Sequence, residues 1–216
     1  MSALALQLHG LVHRYQRSYV LRGTGLRLEQ GAALALYGAN GAGKTTLLRI
    51  IATALTPTRG GGHVLGFDLD DRLELRKRVL IVSHALGLYP DLTGPENLEF
   101  ALKMHARALN GIPAALERVG LRGVTTRVRG YSSGMRKRLA LAKMLLLEPE
   151  LVLLDEPFAA LDPQGKDLVE GLIRAERERG ATLVIASHEP ERARQVATLE
   201  VTLENGLLET PVAVQA

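Results

Sequence analysis

Alternation of apolar and polar positions opens the chain. Leu4, Leu6 and Leu8 mark a period-two pattern that residues 19–28 repeat. The pattern predicts two or three short antiparallel strands with one solvated face. Residues 33–37, 79–83, 151–154 and 182–187 are instead short apolar runs, the mark of strands buried on both faces. Helices are predicted over 44–55 and 163–179. Residues 56–62, with Pro57 and three consecutive glycines, read as a turn. From 89 to 147 helical periodicity dominates, with breaks at Gly94-Pro95, Gly111-Ile112-Pro113 and Gly130. Buried strands alternating with helices imply a parallel sheet with right-handed crossovers. The expected fold is α/β: one domain over 1–216 with a parallel-sheet core, an antiparallel N-terminal sheet and an α-helical subdomain at about 89–147. Residues 211–216 read as a frayed tail.

Composition narrows the function. At 46% hydrophobic and 23% charged, the chain reads as globular and soluble. No apolar run reaches the roughly 18 residues of a membrane helix: the longest candidate, 139–154, is broken by Lys143, Glu148, Pro149 and Glu150. The first ten residues lack a signal-peptide pattern, so a cytoplasmic location is expected. There is no cysteine, which excludes disulfides and thiolate metal sites. The net charge is +4, carried mostly by arginine. It reads as a solvated surface, and aromatics at 4% leave no base-stacking platform for nucleic acid.

Chemistry concentrates in a few stretches. Gly38-Ala39-Asn40-Gly41-Ala42-Gly43-Lys44-Thr45 fits the phosphate-binding loop pattern in full. Its glycines let successive N–H groups turn inward on an anion, and the helix that follows adds its positive end. Lys44 is expected to reach the β- and γ-phosphates, and the Thr45 hydroxyl, with Thr46 beside it, to meet the Mg²⁺–phosphate group. The run 151–154 ends in Asp155-Glu156. Adjacent carboxylates at the end of a buried strand cost several kcal/mol by order of magnitude unless they are paired. A metal and a water would account for both: Asp155 would hold Mg²⁺, largely through water, and Glu156 would orient or deprotonate the attacking water.

Three further pieces complete a series. Tyr131-Ser132-Ser133-Gly134-Met135 precedes a run of good helix formers, where a serine can also serve as an ordinary cap. Ala160-Leu161-Asp162 follows the acidic pair. Ser187-His188 ends the next strand. In this order the sequence resembles the ABC ATPase family, a branch of the P-loop NTPases, across nearly its whole length.

The resemblance implies Mg²⁺-dependent ATP hydrolysis, with ATP and Mg²⁺ as cofactors. It implies a head-to-tail homodimer closed by ATP, in which Ser132, Ser133 and Gly134 of one subunit face the γ-phosphate held by the other, with Asp162 at the same interface. It gives His188 contact with the γ-phosphate or water and makes Tyr15 the aromatic stacked on adenine, with Tyr19 a close rival. The partner implied is an integral membrane permease, which puts the chain at the inner face of the cell membrane.

Two departures from the family pattern stand out. The signature usually reads Leu-Ser-Gly-Gly-Gln; here Tyr131, Ser133 and Met135 replace its first, third and fifth residues. The Cβ of Ser133 narrows the approach to phosphate. His84 stands where the family's Q-loop glutamine ligates Mg²⁺ and couples to the permease, and imidazole is a poor ligand for that hard ion. Either His84 binds through a water or coupling runs through other contacts. His84, Gly87, Glu96-Asn97-Leu98 and the run from Asp155 to Asp162 resemble the ATPase subunits of haem-exporter or cytochrome c maturation complexes. A generic multidrug-type exporter subunit is the alternative, and a soluble cluster-assembly ATPase a more distant one.

Overall fold

The computed structural model describes residues 3–83 and 87–214. In chain order it contains β1 (Leu4–Tyr15), β2 (Ser18–Glu29), β3 (Ala33–Tyr37), α1 (Lys44–Ile51), β4 (Arg59–Val64), β5 (Phe67–Asp68), α2 (Arg72–Arg78) and β6 (Val79–Val82). There follow α3 (Gly94–Met104), α4 (Ile112–Arg118), α5 (Ser133–Leu147), β7 (Leu151–Asp155), α6 (Pro163–Glu178), β8 (Thr182–Ala186), α7 (Pro190–Val196), β9 (Leu199–Glu204), β10 (Leu207–Leu208) and β11 (Val212–Ala213). Among the described residues no helix is long and apolar enough to cross a membrane.

Two sheets form. One has the order β2-β1-β4-β5 and is antiparallel throughout. The other has the order β10-β9-β3-β8-β7-β6. Its β9, β3, β8, β7 and β6 run parallel, while β10 and β11 pair antiparallel with β9. Every residue of β7 and β8 is buried, as expected of a parallel sheet covered on both faces.

The alternation within these strands splits the core in two. Leu34, Leu36, Leu151, Leu153 and Val184 face the antiparallel sheet and enclose Leu47, Leu48, Ile50 and Ile51 of α1, which lies between the sheets. Ala33, Ala35, Val152, Leu154, Leu183 and Ile185 face the other way, onto Leu139, Leu141, Ala142 and Met144 of α5 and Val169 and Ile173 of α6. So α1 is held on two sides, and the loop that enters it is anchored by a packed core.

Four local expectations change. The N-terminal strands are two, each 12 residues long. Helix α1 stops at Ile51, short of residue 55, and Thr53 just beyond it has φ 56. The glycines at 60–62 lie inside β4: a Cβ on Gly60 would meet the Gly10 carbonyl oxygen at 2.2 Å, and one on Gly62 the Gln7 carbonyl oxygen at 2.1 Å. They permit close approach to β1 where the sequence suggested a turn. Finally, Val212 and Ala213 pair with Glu200 and Leu199, so the tail closes part of the sheet edge.

Candidate functional site

The parallel strands β3, β8 and β7 lie side by side and end at one edge of their sheet. The loop after β3, residues 38–43, the Ser187-His188 segment after β8 and Asp155-Glu156 at the end of β7 all gather there. Ligands of open α/β sheets bind beyond these carboxyl ends.

The loop before α1 depends on glycine. Gly38, Gly41 and Gly43 have φ of 147, 82 and 110, open to glycine and rarely to other residues. A Cβ on Gly38 would meet the Leu203 carbonyl oxygen at 2.5 Å, and one on Gly43 would meet Val20 Cγ1 at 2.9 Å. Lys44 is buried, and its Nζ donates to the carbonyls of Gly38 at 2.6 Å and Ala39 at 3.3 Å. The ammonium thus spans the loop. Thr45 Oγ1 donates to Asp155 Oδ2 at 2.8 Å, joining the helix start to β7.

Gly43, Lys44, Thr45 and Asp155 line a cleft of about 380 Å³ with Tyr15, Val20, Ala39, Asn40, Gly41, Thr46 and Glu156. Tyr15 is 44% exposed and edge-on to His13 at 4.8 Å. Tyr19 lines a neighbouring cavity with Ala42 and Gly38, on the β2 side of the loop. The convergence of the Thr45 hydroxyl and Asp155 carboxylate suits a hard divalent cation, since Mg²⁺ takes oxygen ligands and uses few from protein.

Glu156 follows β7 with φ 52, in the left-handed region. That backbone costs about 1–3 kcal/mol for a non-glycine residue and persists only where surroundings enforce it. The Glu156 N–H donates to the Ala186 carbonyl at 2.9 Å. Its Oε2 lies 2.6 Å from His188 Nδ1. An ionised carboxylate only accepts, so Nδ1 carries the proton and Nε2 is left to face outward. His188 is 57% exposed while Glu156 is 15% exposed.

A second cluster lies elsewhere on the chain. Ser132, Ser133, Gly134 and Met135 share a cavity with Arg138, Ala160, Leu161 and Asp162. Ser132 caps α5, its Oγ accepting from the Met135 N–H at 3.1 Å. Asp162 caps α6, accepting from the Gly165 N–H at 2.9 Å. Tyr131, the departure at the first signature position, is buried; a Cβ on Gly94 would meet its Oη at 2.8 Å. Its ring fills the space beneath the start of α3. The structure therefore gathers Tyr15, the 38–46 stretch, Asp155, Glu156 and His188 in one place and Ser132–Gly134 with Asp162 in another. His84 lies outside the described residues.

Two participants escape sequence reading. Val20 packs on Gly43, and Lys137 donates from α5 to the main chain at 156–159. Lys137 stands in the 131–138 signature stretch, which by itself gives it no role, and Val20 stands in no motif; only the folded chain brings them to the site.

Comparison with known proteins agrees with this geometry. The sequence pattern of the ABC transporter family matches residues 21–159. The ATP-binding protein YybJ of Bacillus subtilis is 31% identical, over 95% of this chain and 95% of that protein. The cytochrome c biogenesis ATP-binding export protein CcmA of Pseudomonas putida is 38% identical, over 86% of this chain and 90% of its own length. The daunorubicin resistance ATP-binding protein DrrA3 of Streptomyces coeruleorubidus is 36% identical over 91% of this chain, which spans 64% of that longer protein. Among solved structures, a dimeric post-hydrolysis state of the ATP-binding cassette MJ0796, bound to ADP and Pi, superimposes with a TM-score of 0.88 at 25% identity, over 97% of this chain and 99% of that one. A phosphate-binding loop at a sheet edge, an acidic strand end beside it and this likeness have one reading: the chain belongs to the ABC transporter family and is an ATP-hydrolysing, ATP-binding subunit.

Proposed function

We propose that the chain turns over ATP at a head-to-tail dimer interface and so drives a separate membrane permease. The observation that carries the reading is the separation of the two clusters. Ser132–Gly134 lie in a different cavity from Lys44, Thr45 and Glu156, so a second copy is needed to bring a signature end onto the bound phosphates. The dimeric, ADP- and Pi-bound state of MJ0796 supports a paired cassette.

In this reading the 38–43 N–H groups and Lys44 hold the phosphates, and Tyr15 stacks on adenine. Thr45 and Asp155 would hold Mg²⁺. Once bound, that ion screens the charge that builds on the phosphoryl oxygens. Glu156 orients the attacking water and takes its proton, His188 fixes the Glu156 carboxylate through Nδ1, and Ser132 with the N-terminus of α5 stabilises the γ-phosphate across the interface.

The cargo reading is export linked to cytochrome c biogenesis. It is supported by the identity to CcmA over nearly that protein's whole length and by histidine at position 84. Drug export is the second reading, favoured by the similarity to DrrA3. Deleting the gene and staining membranes for covalent haem separates them. Loss of c-type cytochromes, restored by the wild-type gene and not by Lys44→Ala, supports the first. Normal cytochromes with heightened drug sensitivity overturn it in favour of the second.

A further inference from the structure

Lys137 lies on the second turn of α5, and its Nζ donates to two main-chain carbonyls, Glu156 at 2.7 Å and Ala159 at 2.7 Å. These carbonyls bracket an unusual stretch. Glu156 at φ 52 and Ala160 at φ 60 are both non-glycine residues in the left-handed region. With the Glu156 N–H bound to β8 and its carbonyl bound to Lys137, the peptides on both sides of that residue are fixed. Partial burial pushes the Lys137 ammonium below its usual pKa, while the carboxylates of Glu156, Asp155 and Glu189 act the other way. A desolvated ammonium is costly unless its donors are used.

We propose that Lys137 is a positioning residue for hydrolysis: it ties the strained 156–160 turn to α5 and so aims the Glu156 carboxylate. The proposal rests on the reading of Glu156 as the group that activates water. It adds a link between sites. Helix α5 begins at Ser133, about 6 Å along its axis from Lys137 at 1.5 Å per residue, and its start faces the partner's ATP in the dimer. The ATP that one subunit's α5 touches therefore bears on that subunit's own Glu156, through one rigid turn and one ammonium.

A group that acts through Glu156 has a specific kinetic signature. Misplacing a reacting group by about 1 Å can cost up to roughly a hundredfold in rate. Lys137→Met, which keeps the unbranched apolar stem and removes the donors, is expected to lower kcat at least tenfold with KM for ATP within twofold of wild type. Lys137→Gln, whose amide keeps two N–H donors on a stem one atom shorter, is expected to restore kcat in part, well above the Met variant. In a Glu156→Gln background, Lys137→Met should cause no further loss, because the group it positions is gone. Lys137→Ser, which admits water to the two carbonyls, is held to the same outcomes if the Met variant fails to fold.

A wild-type kcat in Lys137→Met or Lys137→Ser overturns the proposal. So does a loss that persists multiplicatively in Glu156→Gln, or one that tracks weakened ATP binding. If Glu156→Gln alone hydrolyses at the wild-type rate, the reading of Glu156 is what fails.

Discussion

His188 reaches Glu156 Oε2 twice, through Nδ1 at 2.6 Å and through its main-chain N–H at 3.3 Å. One oxygen of the carboxylate is thus committed to the segment after β8. The position of the β8 end therefore fixes how this carboxylate is held, and on the proposed reading the direction in which it would take a proton. Removing the carboxylate charge should leave nucleotide binding intact and stop the chemistry. Glu156→Gln is expected to bind ATP normally and lose about 10²–10⁴ in kcat, the usual worth of a general base. With ATP it should elute as a dimer on size-exclusion chromatography. A strictly monomeric variant at saturating ATP would sink the shared-site reading.

Lys44→Ala removes the one ammonium that spans the loop. Loss of a charged phosphate donor is expected to cost about 10²–10³ in turnover and to weaken ATP binding, seen by fluorescent-nucleotide titration alongside phosphate release. Near wild-type hydrolysis would mean the site is misassigned.

Ser132→Arg blocks the exposed start of α5. It should abolish hydrolysis in the homodimer. Mixed with Lys44→Ala it forms heterodimers with one fully intact site and one doubly damaged site. Activity above that of either variant alone, peaking near equal proportions, is the expected result. Full activity of Ser132→Arg by itself would reject the assignment.

His84→Gln tests the expected match of position 84 to the family's Q-loop glutamine. The isolated chain is expected to keep its ATPase activity, while the response to the membrane partner changes. The measurement is rate against Mg²⁺ concentration with and without the permease. No change in either quantity, for both His84→Gln and His84→Ala, would leave His84 as an ordinary loop residue.

Gly62→Ala tests the seam between β1 and β4. The added Cβ would meet the Gln7 carbonyl oxygen at 2.1 Å, at a backbone φ of 142. A destabilisation above about 3 kcal/mol is expected, given that both strain and steric overlap act. Urea unfolding should show the midpoint falling sharply. An unchanged midpoint would mean that the strands separate at no cost.

The legible parts of this protein are those whose chemistry is contiguous. Residues 38–45 form one unbroken run whose glycines carry the positive-φ turns at 38, 41 and 43, so the sequence spells the loop out. The Asp155-Glu156 pair stands out because two acids end an apolar run. Lys137 was hidden because its partners are main-chain carbonyls 19 and 22 residues away, and carbonyls leave no trace in a sequence. The glycines at 60–62 misled for a related reason: a glycine needed for strand contact looks the same as one needed for a turn. Tyr15 and Tyr19 could not be separated by spacing. Their strands form one hairpin, with Tyr15 opposite Ser18 and Arg14 opposite Tyr19, and only the folded hairpin sends Tyr15 to the cleft beside Lys44.

The left-handed backbone at Glu156 sets folding and turnover against each other at a single position. Glycine would release the about 1–3 kcal/mol that this backbone costs, against about 0.4–1 kcal/mol of added freedom in the unfolded chain, yet it would remove the carboxylate. A Glu156→Gly chain would exchange the two His188 contacts for a relaxed turn, so it should still fold and hydrolyse almost nothing.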